Sequence, residues 1–301
     1  MTLVPEHITV CICTFKRPEM LARLLEELQG QKTGGLFTYS IVIVDNDEKE
    51  SARQTAESVK TKARISIQYY VEPEQNIALA RNKAVQFANG DHVAFIDDDE
   101  FPLKNWLYSL YNVLKKYEAD GVLGPVLPHY EAQPPEWIIK GRLLERECFR
   151  SGTILEKPEH TRTGNALLAR RIFAQFDKPF DPSYGRTGGE DVDFFRRSIE
   201  QGRVFVWCNE ACVYETVTTD RLHRIFFIKR ALLRGVVNSR RSTLISCSSM
   251  RSIVACLVYT ACLPFLLLIG QHMFMRYLIK DCDHLGKLLG ILRIRVVSAR
   301  S

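Results

Sequence analysis

Val93-Ala94-Phe95-Ile96-Asp97-Asp98-Asp99-Glu100 is the stretch on which the reading of this chain turns. Four apolar residues that read as a buried β-strand run straight into three aspartates and a glutamate. Carboxylates in series repel one another, and each would cost on the order of several kcal/mol if buried unpaired. At the carboxyl end of a strand they call for a cation between them. Alternate residues of an extended segment point the same way, so Asp97 and Asp99 are expected to converge on one Mg²⁺ or Mn²⁺. Such a hard cation takes oxygen ligands and commonly completes its shell with substrate phosphates. The plainer alternative is a solvated acidic turn.

Working outward, the first ~125 residues alternate strand and helix by their apolar periodicity. Ile8 to Cys13 reads as a strand, Thr14-Phe15-Lys16-Arg17 as a turn, and Pro18 suits the first position of a helix running to about Gln29. Met20, Leu21, Leu24, Leu25 and Leu28 fall at helical spacing. Ile41-Val42-Ile43-Val44 is a second continuous apolar strand, ending in Asp45-Asn46-Asp47. A helix over about 51–61, a strand over 65–71 and a helix over 77–89 complete the pattern. Strands apolar on both faces and separated by helices predict an α/β fold with a mostly parallel, Rossmann-like central sheet and right-handed crossovers. In open sheets of this kind ligands bind beyond the carboxyl ends of strands, here Thr14, Asp45 and Asp97 to Asp99. No Gly-x-Gly-x-x-Gly follows the first strand and there is no Gly-Lys-Ser/Thr phosphate loop, so a nucleotide is expected to be held through a metal and side chains.

Composition bounds the class. The 301 residues are 46% hydrophobic and 25% charged, values of a globular protein. Met1 to His7 is short and polar and the apolar run after it too brief for a secretory h-region, so no signal peptide is expected. Nine cysteines, an odd number without repeated spacing, suggest reduced thiols facing the cytosol; Cys208 and Cys212 lack the further Cys or His pair that a zinc site needs. The net charge of +6 is unevenly spread: from Arg221 to Lys280 there are ten Lys or Arg and no Asp or Glu. That imbalance points to an anionic partner.

The middle of the chain is less regular. Pro125, Pro128, Pro134 and Pro135 lead to Trp137, either a packing anchor or a platform for an acceptor. Thr163-Gly164-Asn165 precedes an apolar run, and Thr187-Gly188-Gly189-Glu190-Asp191 opens a helix. Acids in a first helical turn complement the helix dipole, and two carboxylates at such a place are also where a general base can be held.

Cys13-Thr14-Phe15-Lys16-Arg17-Pro18, a strand ending Val44-Asp45-Asn46, the helix start Asn76-Ile77-Ala78-Leu79-Ala80-Arg81-Asn82, then Ile96-Asp97-Asp98-Asp99-Glu100 and Gly188-Gly189-Glu190-Asp191 come in an order that resembles the family 2 glycosyltransferases over about residues 8–235. The tail of the resemblance, Val213-Tyr214-Glu215, Arg221 and Arg230-Ala231-Leu232-Leu233-Arg234-Gly235, is most similar to bacterial transferases that build exopolysaccharide or lipopolysaccharide. The resemblance implies a GT-A fold and inverting transfer of a sugar from a nucleotide-diphosphate donor. By position it implies Thr14 and Arg17 beside the nucleotide and Asp45 accepting a hydrogen bond from the base, uracil if the donor is UDP. It implies Asn76, Arg81 and Asn82 on the donor side, Asp97 and Asp98 on the nucleotide sugar, and Asp97 and Asp99 on Mg²⁺ or Mn²⁺, with Glu215 a further candidate ligand where many members carry His. Asp191 would be the general base and Glu190 its partner; Trp137, Asn165 and Gly189 would face the acceptor. Arg196 and Arg197 do not complete the Gln/Arg-x-x-Arg-Trp signature of processive synthases, which favours one sugar per acceptor. The residues fit this chemistry on their own account. A leaving diphosphate develops charge that a cation neutralises, and one carboxylate opposite it is the minimum for a single inverting displacement.

Downstream, Ile253 to Ile269 is nearly all apolar and contains Pro264. Seventeen residues reach ~26 Å as a helix, short of a ~30 Å hydrocarbon core. Basic residues flank both sides: Arg240, Arg241 and Arg251 before, Arg276 and Lys280 after. An interfacial or re-entrant segment is expected, on the cytoplasmic face of the inner membrane. The expected organisation is a catalytic domain over 1–220, its nucleotide half about 1–125 and acceptor half about 126–220, followed by a helical membrane-associated region over 221–301. The expected partners are a nucleotide sugar, a lipid-linked or glycan acceptor and a membrane surface, and not nucleic acid, for which no recognition motif is present. The rival readings are a nucleotidyltransferase, which normally needs a glycine-rich loop after strand one, and a non-catalytic membrane scaffold, which has no use for unpaired acids.

Overall fold

The computed structural model describes residues 5–185, 187–240, 243 and 246–294; Arg241, one of the expected basic flank, lies outside them. The described residues form two compact units, one of residues 5–127, 146–185 and 190–215, the other of residues 128–145, 187–189 and those from 216 on.

The first unit is built on β1 (Glu6–Thr14), α1 (Pro18–Gln29), β2 (Phe37–Asp45), α2 (Arg53–Lys60), β3 (Ile67–Val71), α3 (Ile77–Phe87) and β4 (His92–Ile96), the expected alternation. Next come β5 (Glu100–Pro102), α4 (Trp106–Lys116) and β6 (Gly121–Leu123); β7 (Val126–Tyr130) and α5 (Glu136–Gly141) precede β8 (Asn165–Ala169), α6 (Glu190–Glu200), β9 (Phe205–Trp207) and β10 (Val213–Val217). Seven strands make one sheet in the order β3-β2-β1-β4-β8-β6-β9. The β1–β2, β2–β3, β1–β4 and β6–β9 pairs are parallel, and only β8 runs antiparallel to its neighbours. Strands β5, β10 and β7 make a second, three-stranded sheet.

The continuous apolar runs are explained by burial on both faces. Ile8, Val10 and Ile12 of β1, Ile41 and Ile43 of β2, and Ala94 and Ile96 of β4 meet Leu21, Leu24, Leu25 and Leu28 of α1 and Trp106, Leu107 and Leu110 of α4. The residues between them, Cys11, Val42, Val44, Val93 and Phe95, turn to the other face, against Ala78, Ala80 and Ala84 of α3 and Phe180, Phe194 and Phe195. The period of two in each strand thus serves two cores at once.

Strand order places the site. From β1 the sheet grows through β2 to β3 on one side, then restarts on the other with β4. The crevice between the carboxyl ends of β1 and β4 is the switch point at which open α/β sheets take ligands. Thr14 ends one of these strands, and Asp97 follows the other.

The second unit carries α5 and three long helices, α7 (Arg224–Ser239), α8 (Cys247–Ile269) and α9 (Gln271–Ile291). Ile138, Val217, Phe227 and Met275 form its small core. Among the described residues α8 is the one helix long and apolar enough to cross a membrane, by length and composition. The helix begins six residues earlier than the apolar run and continues through Pro264.

Candidate active site

The acidic run is a turn at the switch point rather than an extended segment. Glu100 N–H donates to the Asp97 carbonyl (3.1 Å), and Asp97 N–H donates to Glu100 Oε2 (3.1 Å). Asp97 and Asp99 are therefore not brought together by strand alternation; each is oriented by its own arginine. Thr14 Oγ1 donates to Asp98 Oδ2 at 2.8 Å. Arg17 Nη1 donates to Asp98 Oδ1 at 2.9 Å and to Asp99 Oδ2 at 3.1 Å. Asp98 is buried with both oxygens taken, so it ties the end of β1 to the end of β4 and is poorly placed to bind donor itself. Asp97 has a side chain 46% exposed, and its Oδ1 accepts from Arg81 Nη2 at 3.2 Å. Arg81 is buried, and its Nη1 bonds Glu190 at the first turn of α6. One guanidinium thus links the strand-end carboxylate, α3 and the helix that carries Asp191.

Further acids close the group. Glu100 stands opposite Glu215 in the β5–β10 pairing, and Glu215 makes an ion pair with Arg146. Gly164 is where a side chain would intrude: a Cβ there would come within 2.7 Å of Glu100 Oε1 and 3.2 Å of Asp97 Oδ2. A glycine keeps that approach to the two carboxylates open.

The electrostatics follow from this crowding. Asp97 is raised by desolvation at the floor of the crevice, and Asp99, Asp191 and Glu215 push it the same way against the pull of Arg81. Asp98 is pushed up to about 6 by burial and Asp99, against Arg17 and its hydrogen bonds. Burial, with Asp97 and Asp99, lifts Glu100 well above the carboxylate range. Arg162 is pulled down to about 10, by burial first and then by Arg146, while Asp191, Glu100 and Glu215 hold its charge. The centre therefore carries more negative than positive charge at close quarters. Among the described residues no group of three His, Cys, Asp or Glu side chains is disposed to hold a metal by itself. The donor set of Asp97 and Asp99 still fits a hard divalent cation that takes its remaining oxygens from a diphosphate and water.

Several expected residues serve the fold. Asp45 is fully buried: Oδ1 accepts from Asp47 N–H at 3.0 Å, and Oδ2 from Ala52 N–H and Tyr69 Oη, both at 2.8 Å. Both its oxygens are committed to the loop after β2, which leaves little for a base. Asn76 caps α3, accepting from the Ala78 and Leu79 N–H groups. Asn82 clamps Phe180 from both sides, donating to its carbonyl (2.7 Å) and accepting from its N–H (2.9 Å).

Asn165, expected at the acceptor, is wholly buried. Its Oδ1 accepts from Trp106 Nε1 at 2.8 Å, and its Nδ2 donates to the carbonyls of Pro125 (3.0 Å) and Ala211 (2.6 Å). No acceptor reaches a side chain with its hydrogen bonds already spent inside the core. Asn165→Ala is accordingly expected to destabilise the protein by ~1–3 kcal/mol for each group left unpaired, read as a lower urea midpoint. An unchanged midpoint would contradict this wiring.

In the second unit Trp137 packs edge-on against Phe227, ring centroids 5.4 Å apart, with the Arg224 guanidinium 5.8 Å from its ring. Of its two expected uses, packing is the one these contacts show. Gly189 has φ 97°, a backbone state that favours glycine. Glu100, Arg146, Arg162 and Gly164 join the site without having been expected there. The signal that could have found three of them is the tightness of the motifs themselves: Glu100 ends the acidic run, and Arg162 and Gly164 flank Thr163 just before the buried β8.

Comparison with known proteins adds to this geometry. Residues 9–175 match the family model for glycosyl transferase family 2. The chain is 33% identical over 237 residues to the succinoglycan biosynthesis protein ExoM of Rhizobium meliloti (strain 1021), covering 78% of this chain and 74% of that protein. It is 25% identical over 237 residues to the hyaluronan synthase of Pasteurella multocida, covering 67% of this chain but 24% of that larger one. Among solved structures, residues 1–349 of S. aureus TarS in complex with UDP-GlcNAc superpose with a TM-score of 0.56 at 13% identity, over 95% of this chain and 90% of that one.

Proposed function

This chain belongs to glycosyltransferase family 2 and has its GT-A-like fold, and on that premise we propose inverting, metal-dependent transfer of a sugar from a UDP-sugar to a lipid-linked or polysaccharide acceptor in cell-surface glycan synthesis. The observation that carries the proposal is Asp191, on the first turn of α6 beside a buried Glu190–Arg81 pair that reaches back to Asp97. A carboxylate is thereby held next to the acidic strand rim while remaining partly exposed. The relatives support the donor and the pathway class: TarS has been solved with UDP and with UDP-GlcNAc, and ExoM is a succinoglycan biosynthesis protein.

In this reading Asp97 and Asp99 would hold Mg²⁺ or Mn²⁺, Asp99 oriented by Arg17 and Asp97 by Arg81, with Glu215 opposite Glu100 adding to the field. When bound, the cation neutralises charge on the leaving diphosphate without a proton donor. Arg162 contributes positive charge among the same carboxylates. Asp191 takes the proton from the acceptor hydroxyl as its oxygen bonds to the anomeric carbon, and the bond from that carbon to the diphosphate oxygen breaks on the opposite face. One displacement inverts the centre. On the same proposal the work is done at the cytoplasmic face of the inner membrane.

Titration calorimetry with UDP tests donor and metal together. UDP binding is expected in Mg²⁺ or Mn²⁺ and is expected to weaken at least tenfold in EDTA and in Asp99→Ala. Equal affinity with and without the cation would remove the metal from the mechanism. A panel of nucleotide sugars with no transfer or hydrolysis of any member would remove the function.

A further inference from the structure

The helices of the second unit carry a surface that sugar transfer does not use. Helices α7 and α9 are in close contact: a Cβ at Gly235 would lie 2.1 Å from the Asp283 carbonyl oxygen, and one at Gly286 would lie 2.3 Å from that of Leu232. Only glycines permit backbones to meet so closely. Helix α8 is laid outside this pair. Its contacts with α9 run in reverse order, Thr260 with Asp281, Ser252 with His284 and Ser248 with Lys287, so the two helices are antiparallel. Tyr259 adds ring contacts with Tyr277 and His284 on the same side, and away from α9 the apolar residues of α8 are largely exposed. Only 6% of its apolar stretch is buried, with Val254 60%, Leu257 69%, Phe265 70% and Leu268 86% exposed. An apolar surface of this extent marks a site of interaction.

Two adjoining hollows border it. A polar cavity of 300 Å³ is lined by Arg251, His284 and Lys287 together with Ser248, Ser252 and Asn238. Asp283 also borders it but is paired with Arg234, Nε to Oδ1 3.0 Å. Arg251 also borders a second, apolar groove of 420 Å³, along Met250, Val254, Val258 and Tyr259 of α8. A cationic hollow that shares a residue with an apolar groove has the polarity of a phospholipid: an anionic headgroup at one end and an acyl chain at the other.

The contact with α9 bears on how α8 could meet a bilayer. Thr260 Oγ1 donates to Asp281 Oδ2 at 3.0 Å, nine residues before the end of α8. Nine residues are ~14 Å of helix, about half of a ~30 Å hydrocarbon core. Were α8 to cross a bilayer, Asp281 and its neighbours Lys280 and Asp283 would be drawn toward the midplane, where charge is expensive. Lying in the interface, α8 buries its apolar side and leaves α9 on the water side.

We propose that α8 is an in-plane membrane anchor, and that Arg251, His284 and Lys287 form a binding site for the headgroup of an anionic bilayer phospholipid whose acyl chain follows Met250, Val254 and Val258. The proposal does not depend on catalysis, and its test reads lipid binding alone. The intact chain is sedimented with vesicles of phosphatidylcholine and with vesicles of phosphatidylcholine mixed with phosphatidylglycerol. Binding is expected to be at least tenfold tighter to the anionic vesicles. The double variant Arg251→Gln/Lys287→Gln is expected to lose roughly 30-fold on them, from two headgroup-facing charges. Val254→Asp/Leu257→Asp, at exposed positions where folding is not at stake, is expected to abolish binding to both. Equal binding to the two vesicles, or an Arg251/Lys287 variant that binds as the parent does, would overturn the headgroup site. Failure of the parent to bind any vesicle would overturn the anchor, and resistance of the bound protein to alkaline carbonate extraction would replace the in-plane helix with a span.

Discussion

Asp191→Asn is expected to lower turnover by about 10²–10⁴ while leaving UDP affinity within a few-fold of the parent. The substitution preserves size and polarity at the first turn of α6, where Asp191 Oδ1 accepts from Val192 N–H at 2.8 Å, a bond the asparagine oxygen can also accept. What is lost is the capacity to take a proton. The neighbouring Glu190 cannot readily substitute, because it is buried and engaged with Arg81, whereas Asp191 is partly exposed. Steady-state kinetics with saturating donor, set beside UDP titration of the same variant, separates the two effects. Near-parental turnover would move the base elsewhere; a parallel loss of UDP affinity would mean that Asp191 acts on the donor.

The sheet and its rim were legible because the residues that specify them do so locally. Ile41-Val42-Ile43-Val44 and Val93-Ala94-Phe95-Ile96 are buried on both faces, and strands in that situation read as unbroken apolar runs. The acids follow these runs directly, so their place at the carboxyl ends could be inferred without knowing what lies across from them. Their orientation could not. Whether Asp98 faces outward or inward depends on Thr14, 84 positions away, and on a turn that breaks the two-residue alternation. Asn165 misleads for a related reason. The family resemblance put it at the acceptor, yet its amide is satisfied by Trp106, Pro125 and Ala211, from three separate segments. Arg162 joins the site because β8 is inserted antiparallel between β4 and β6, a pairing that no local pattern announces. In the second unit the apolar run of α8 was plain, but its lie depends on Asp281, a residue of the next helix.

Arg81→Leu is expected to destabilise the protein by about 3–5 kcal/mol and to abolish transfer. The guanidinium is buried between Glu190 and Asp97, and those acids hold its charge more firmly than in water despite the cost of burial. Removing it leaves the Glu190 carboxylate inside the protein without its cation, the circumstance in which breaking a buried pair costs most. Arg81→Leu/Glu190→Leu is expected to cost less than the sum of its parts, because the second substitution removes the charge that the first stranded. Urea denaturation of the two single variants and the double closes this cycle, and a coupling of more than about 1 kcal/mol is expected for groups in direct contact. The double variant should regain stability but not activity, since Asp97 has still lost its orienting arginine and α6 its tie to α3. Additive costs would show that Arg81 and Glu190 stabilise the fold independently. Recovery of transfer in the double variant would show that the arginine serves the fold alone, and that Asp97 and Asp191 find their places without it.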